Sequence, residues 1–415
     1  MSHRRLSAIK FKTRFRPRAK LKDWTAPILV SSDCIIPFHP RCNPDIVWEI
    51  AFYLDHASQR ALCCTSRFTY QILHAVLWKR VVLDSAERQQ VEQLHLILRS
   101  GNRGKLVERC DIHCTLGLKE FARVMMFAPP VAGRQVGALE TMSNLRHLGL
   151  FTDDYTSLEL DLGNCILHTA LHMSPMFRLE SFASDAPPSP FLQVFLLTQP
   201  SIRRFAYLND SYTMKLSRDA LPLLERLEAR SDSILGLLRG RSNVHALMFT
   251  DRHGMSVSHN VRALIARSHS RSSRPIEHLH MQVIGFSKRD FSNVTALKHL
   301  RSLYIGTVHS DWFPSFQRLW GYIGRLTLLE FISLELFVDP SAGLVDDEHM
   351  LPQMETSYLR LVMRQENSWR YYTRTRGDSE WVIQGTGVGV SPAHDDDPPD
   401  WGKWILSPRP IRRWF

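Results

Sequence analysis

The sequence has no apolar run approaching the roughly 18 residues that a membrane-crossing helix needs, so no transmembrane span is expected. It also has no glycine-rich phosphate loop, no GxSxG elbow, no HExxH pair and no CxxC. Nucleotide hydrolysis, acyl transfer and zinc proteolysis are therefore without their usual motifs, and neither a cofactor nor catalysis by this chain is expected. Lysine is scarce: there are 11 against 41 arginines, and between Glu120 and Ser287 the only one is Lys215. Seven cysteines, odd in number and irregularly spaced over 415 residues, match no disulfide framework. They point instead to reduced thiols in the cytoplasm or nucleus. The tightest Cys/His group is Cys110, His113 and Cys114, and alternating residues on a strand do not converge as metal ligands do, so no metal site is expected. Acids are missing altogether from residues 1–22, where nine of the Lys and Arg stand; without those nine, the net charge of +11 falls to 43 bases against 41 acids. The basic balance thus belongs to a tail over residues 1–38 and the body is nearly neutral, which argues against nucleic acid as the main partner. A solvated extension, a nuclear-localisation or nucleic-acid-contacting patch, and an organelle transit peptide all fit that tail.

What is present begins with a tract from Pro44 to Leu83. Ile46, Val47, Ile50 and Leu54 fall on one side of a 3.6-residue period and predict an amphipathic helix, with Pro44 in its first turn and Asn43 as its N-cap. A second short helix is predicted over about 58–64 and a third over 66–76, with Phe68, Ile72, Leu73 and Val76 inward. Trp78 would close the bundle, and Arg80-Val81-Val82-Leu83 would end the tract. An ordinary helical hairpin with a buried tryptophan has the same pattern. The tract resembles an F-box. That resemblance implies a surface of Pro44, Val47, Ile50, Leu54, Leu62 and Trp78 docking on a small Skp-type adaptor, and through it on a cullin-RING ubiquitin ligase.

Beyond Gly101 the spacing LxxLxL recurs. The units are Val107-Cys110-Ile112, Leu145-Leu148-Leu150, Leu179-Phe182-Ser184, Ile202-Phe205-Tyr207, Leu224-Leu227-Ala229, Val244-Leu247-Phe249, Ile276-Leu279-Met281, Leu300-Leu303-Ile305 and Leu329-Ile332-Leu334. Any one such triplet arises easily by chance, so the spacing carries the argument: successive units start 20 to 38 residues apart. The segment resembles an irregular leucine-rich repeat, with Asp153, Asp210 and Asp232 where the family often places Asn or Cys. A compact α/β domain with irregular loops is the other reading. In a repeat array each unit would add one strand to a parallel sheet and bury its triplet against its neighbours. Alternation along each strand would then turn the flanking residues onto a concave face.

On that face Arg204, Arg226, Arg230, His278, His280 and Tyr304 are the candidate client-binding residues, since Arg and Tyr dominate interface energetics and cationic groups favour an acidic or phosphorylated segment. Solvated polar residues on a scaffold would look the same. From Ser341 the repeats fade; a helix is predicted around 355–365 and a short strand at Trp381-Val382-Ile383. The fold class expected is α/β, in four parts. A basic tail over 1–38 precedes a three-helix F-box-like motif and linker helix over 39–100. An irregular repeat solenoid with a parallel sheet then occupies 101–340, and a C-terminal cap 341–415. The resemblances together imply a non-catalytic substrate receptor that binds the Skp-type adaptor and cullin complex at one end and a protein client at the other. A binding scaffold without ligase docking, or a nucleic-acid-associated protein using the tail, stays open.

Overall fold

The computed structural model describes residues 43–54, 56–84, 103–114, 141–152, 177–209, 212–250, 273–281, 294–309, 321, 323–329, 331–338, 358–365, 368–375 and 382–388. The basic tail, Asp153, Asp210 and Trp381 lie outside the described residues. The chain divides into two compact units, residues 1–74 and 75–415.

The first unit is helical. Helix α1 spans Pro44–Tyr53, and the extended backbone of Asn43 lets its side chain accept from the Asp45 amide at 2.9 Å. With Pro44 needing no donor and Asp45 favourable at the positive end of the helix dipole, the start is well determined. Helix α2 (His56–Cys63) sends Gln59 back to close α1, its amide donating to the carbonyls of Ala51 (2.8 Å) and Leu54 (3.1 Å). Helix α3 (Arg67–Lys79) opens on a reciprocal cap: the Ser66 hydroxyl accepts from the Thr69 amide at 3.0 Å, and the Thr69 hydroxyl donates to the Ser66 carbonyl at 2.9 Å.

That cap fixes which face of α3 turns in. Thr69 and Leu73 are fully buried, whereas Phe68, expected inside, is 37 % exposed. The inward stripe of α1 is likewise narrower than predicted: Val47 and Ala51, four residues apart, face the core, and Ile46 and Ile50 face out. The division between the units falls within α3.

Among its described residues the second unit forms a 13-stranded sheet whose strands are neighbours in chain order. Strands β1 (Arg80–Asp84), β2 (Arg109–Cys114), β3 (His147–Thr152), β4 (Ser181–Ser184), β5 (Arg204–Tyr207) and β6 (Arg226–Ala229) pair parallel in turn. They are followed, still parallel, by β7 (Ala246–Phe249), β8 (His278–Met281), β9 (Ser302–His309), β10 (Phe331–Val338) and β11 (Tyr358–Gln365). Strands β12 (Ser368–Thr375) and β13 (Val382–Val388) then turn back antiparallel. This is an α/β unit in a solenoid-like arrangement.

Each of the nine triplets has its last two members on one of the strands β2 to β10, one triplet to a strand, in register from neighbour to neighbour. Two expectations are corrected. Residues 80–83, expected as the end of the helical tract, belong to the first strand of the sheet, and Trp78-Val81-Leu83 repeats the same apolar spacing. Residues 358–365 are strand β11 and not a helix, because Leu359, Leu361 and Met363 alternate with Arg360 and Arg364 at period two, and a parallel partner in β10 is waiting.

The larger part of the core lies on one side of the sheet, and a small buried cluster of Ala183 and Ala206, with Phe151 and Leu208 against it, lies on the other. Phe182 and Phe205, on adjacent strands, stack with ring centroids 6.0 Å apart and planes 4° apart. Helix α4 (Pro190–Thr198), capped by the Ser189 hydroxyl accepting from the Leu192 amide at 3.1 Å, brings Phe195 edge-on to Phe182 at 5.3 Å. At the turn after β5, the buried Asn209 amide donates to the Asp185 carbonyl at 2.6 Å and its oxygen accepts from the Tyr212 amide at 2.7 Å. This ties neighbouring coils together one position before Asp210.

Helix α5 (Ser231–Leu238) ends on Arg241, only 1 % exposed. Its guanidinium donates to the carbonyls of Leu237 (2.7 Å), Arg239 (2.9 Å) and Ser217 (2.7 Å), so it caps the negative end of the helix and pins it to the preceding coil. Burial pushes its pKa down to about 10, which still leaves it charged at neutral pH. Arg241→Ala removes the donor to three carbonyls, that of Leu237 buried, and leaves the helix end uncapped, so a loss of roughly 2 kcal/mol in urea unfolding is expected. Arg241→Lys can restore one bond or two and should recover part of it.

Candidate functional site

Two surfaces carry residues suited to binding. The first lies on α1, where Ile46 (53 % exposed), Ile50 (50 %) and Tyr53 (76 %) stand at i, i+4 and i+7, and so on one face. Trp48, Phe68 and Tyr70 are also exposed within this unit. Of the six residues expected to face an adaptor, Pro44 and Ile50 are exposed, Leu54 and Leu62 are partly covered, and Val47 is in the core. Trp78 belongs to the second unit, with the Arg103 guanidinium 5.6 Å over its ring. A buried Val47 supports the helix, and its neighbours Ile46 and Ile50 carry the exposed apolar face.

The second surface is the face of the sheet opposite Phe182 and Phe205, where no row residue over β5 to β9 is more than partly exposed. Strand register aligns Arg80, Arg109, His147, Ser181, Arg204, Arg226, Ala246, His278 and Ser302 in one row. Two residues further along the strands, a second row holds Val82, Asp111, Gly149, Ala183, Ala206, Glu228, Met248, His280 and Tyr304. The face thus brings Arg204, Arg226, His278, His280 and Tyr304 together over β5 to β9. Arg230 is the exception: it follows the end of β6 at the N-cap of α5, and its guanidinium is bound to Asp232 at 3.0 Å.

The electrostatics differ along the rows. Asp111, 3 % exposed, takes Arg109 at 2.9 Å and Arg80 at 3.5 Å, so on the first strands one buried acid is shared by two guanidiniums. Arg204 and Arg226 are both partly exposed on adjacent strands. Burial, and then the neighbouring Arg204, lowers the pKa of Arg226, which places the two guanidiniums within each other's field. Glu228, buried to 2 %, is the acid on the same face of β6.

Further along, the charge disappears. His278 Nδ1 lies 2.6 Å from the Ser302 hydroxyl and its ring meets His245 edge-on at 6.0 Å, while the His280 ring lies 3.9 Å from Tyr304. Burial, with His245 alongside, pushes His278 down to about 4, so it is neutral at pH 7. Burial also lowers His147 and His245.

Because these imidazoles bind protons more weakly folded than unfolded, the unfolded chain takes up more protons below its histidine pKa near 6.5. Stability is therefore full above pH 6.5 and declines as pH falls towards 4. Urea midpoints at pH 7 and pH 5 should differ, and His278→Gln should shrink the difference.

A third row went unread in the sequence. The residues just before the strands, Lys79, Glu108, Arg146, Glu180, Arg203, Glu225, His245, Glu277 and Arg301, follow the first apolar position of each unit and nearly alternate in sign. Their backbones form a continuous N–H to carbonyl ladder of 2.7–3.0 Å. Ion pairs join Lys79–Glu108 (3.2 Å), Arg146–Glu180 (3.3 Å) and Arg203–Glu225 (2.9 Å). Each exposed pair contributes little, but alternation keeps like charges from standing side by side on neighbouring strands.

For chemistry the described residues offer little. Cys110 is fully buried in the core row, and burial holds its thiol far above the range where a thiolate forms. His113, on the opposite face of β2, stacks on Phe151 at 5.0 Å. Among the described residues no three His, Cys, Asp or Glu side chains converge to hold a metal, and no helix is long and apolar enough to cross a membrane. No protein-family model matches the chain, and no curated protein matches it significantly in sequence.

Proposed function

We propose that this chain is a non-catalytic substrate receptor of a Skp-cullin-F-box type ubiquitin ligase. Helix α1 docks on the Skp-type adaptor, and the face of a leucine-rich-repeat sheet opposite Phe182 and Phe205 takes the client. The observation that carries this reading is the pairing of the two parts. A small helical unit leaves Ile46, Ile50 and Tyr53 uncovered on one helix face. A separate sheet unit aligns Arg204, Arg226, His278, His280 and Tyr304 on one face. An apolar helix face of that kind fits a helical adaptor's groove. A sheet of sequential strands provides length: at about 4.8 Å per strand, the ten steps from β1 to β11 cover roughly 48 Å. No residue of this chain need react, since holding a client beside a charged enzyme raises its effective concentration.

Affinity purification of the full chain from cells tests the reading. Recovery of a Skp-type adaptor together with a cullin is expected, and recovery of neither overturns it.

A further inference from the structure

The same sheet face over β5 to β9 has two chemically distinct halves, and their separation is set by the strand register. On β5 and β6 the first row presents Arg204 and Arg226, one strand apart and both partly exposed. Glu228, buried to 2 %, stands two residues further along β6 on the same face. On β7 to β9 the two rows hold Ala246, His278 and Ser302, then Met248, His280 and Tyr304, with no Asp, Glu, Lys or Arg among them. Glu228 and Arg226 of β6 border this half beside Met248 and Ala246, and one position before the strands Glu277 lies 3.9 Å from Arg301 and 4.0 Å from His278. Met248 and Tyr304 are partly exposed, and Tyr304 is braced by the His280 ring.

We propose that this region recognises an extended peptide segment by two side chains four positions apart. A carboxylate or phosphate is held by Arg204 and Arg226, and an aromatic or large apolar side chain lies on Met248, His280 and Tyr304. The inference rests on the reading of this face as the client-binding surface, and it does not depend on adaptor docking. Guanidinium groups on neighbouring strands can reach one anionic group from two sides, which gives charge-assisted bonds their strength and direction. The second half supplies what the first lacks: a polarisable thioether and a ring for stacking.

The spacing follows from the sheet. From midway between β5 and β6 to β8 is two and a half strand steps, about 12 Å, and the shift from first to second row adds two residues, about 6.7 Å. The diagonal is about 14 Å. An extended chain covers that in four residues at about 3.4 Å each, and an even number keeps both side chains on the same side. Three or five residues would turn one of them away.

The test uses the purified full chain and fluorescein-labelled synthetic peptides without any adaptor. The peptides carry one glutamate or phosphoserine and one tryptophan, separated by two to six positions in an otherwise Ser/Ala background. Anisotropy is expected to show the spacing of four binding at least ten-fold tighter than three or five. Arg204→Gln with Arg226→Gln should remove the preference for the anion. Met248→Ala with Tyr304→Ala should remove the preference for tryptophan, each variant being checked for unchanged unfolding. Arg204→Lys with Arg226→Lys should keep the charge preference in weakened form. Equal binding at every spacing, or binding that ignores the tryptophan and falls steeply with salt as for a polyanion, overturns the proposal, and so does the absence of binding by every peptide. Recovery of the adaptor in cells together with any of these results would leave the receptor reading standing and remove only this one.

Discussion

Ile46→Asp combined with Ile50→Asp is expected to weaken capture of the Skp-type adaptor by about 100-fold or more while leaving the thermal unfolding of the chain unchanged. Both side chains are half exposed in the free chain, so charging them removes no core contact and the folded state should tolerate it within about 0.5 kcal/mol. In a complex they would stand near the centre of an apolar contact, where a carboxylate must be desolvated without a partner. Substituting Val47 would not discriminate in this way. At 4 % exposure it belongs to the core, and Val47→Asp would abolish binding by unfolding the helix pack. Tyr53→Ala serves as a milder companion, with an expected loss of about ten-fold.

The largest effect on stability is expected from Phe205→Ala. Phe205 has no exposed surface, stacks on Phe182 of the preceding strand and is in register with Leu227 of the next. Truncation opens a cavity between two coils whose backbones are tied on both sides, so relaxation is restricted and a cost of about 3–5 kcal/mol is expected. In a linear array each coil is stabilised by its neighbours, so the loss should be regional. Hydrogen exchange should accelerate most on β4 to β6 and least on β11 to β13. Uniform acceleration over all thirteen strands would mean that the sheet opens as one cooperative block.

Much of the sheet was legible because burial dictates residue type at three positions in every coil. The triplets from Val107 to Leu334 fall on successive strands even where Ser184 or Ala229 stands for a large residue. Burial alone could not separate helix from strand in 355–365, since Leu359, Val362 and Met363 fit a helical stripe as well as Leu359, Leu361 and Met363 fit a strand; the parallel partner in β10 decides. The helical tract was read with the correct elements and a shifted face. Ala51 carries too little apolar signal to mark the inward side of α1, and the Ser66–Thr69 cap, which sets the rotation of α3, was overlooked. Strand β1 was hidden because Trp78 sits at once in the last turn of α3 and in the first apolar position of a coil.

The candidate client-binding residues divide for a similar reason. Alternation placed Arg204, Arg226, His278, His280 and Tyr304 on one face, but it could not reveal that β6 stops at Ala229, which sends Arg230 to α5 and Asp232. Nor could it reveal that His278 is kept neutral by its surroundings, which removes a cation from the site. The alternating charges before the strands were visible in the letters, yet their meaning depends on register, which only the paired strands supply.

The most direct measurement mixes purified full chain with a purified Skp-type adaptor and follows the pair by size-exclusion chromatography with light scattering. A single 1:1 complex that persists at low micromolar concentration, and that Ile46→Asp with Ile50→Asp splits into its two components, is the result expected of a ligase receptor. Two independent peaks at every concentration, from a wild-type chain shown to be folded, would contradict it.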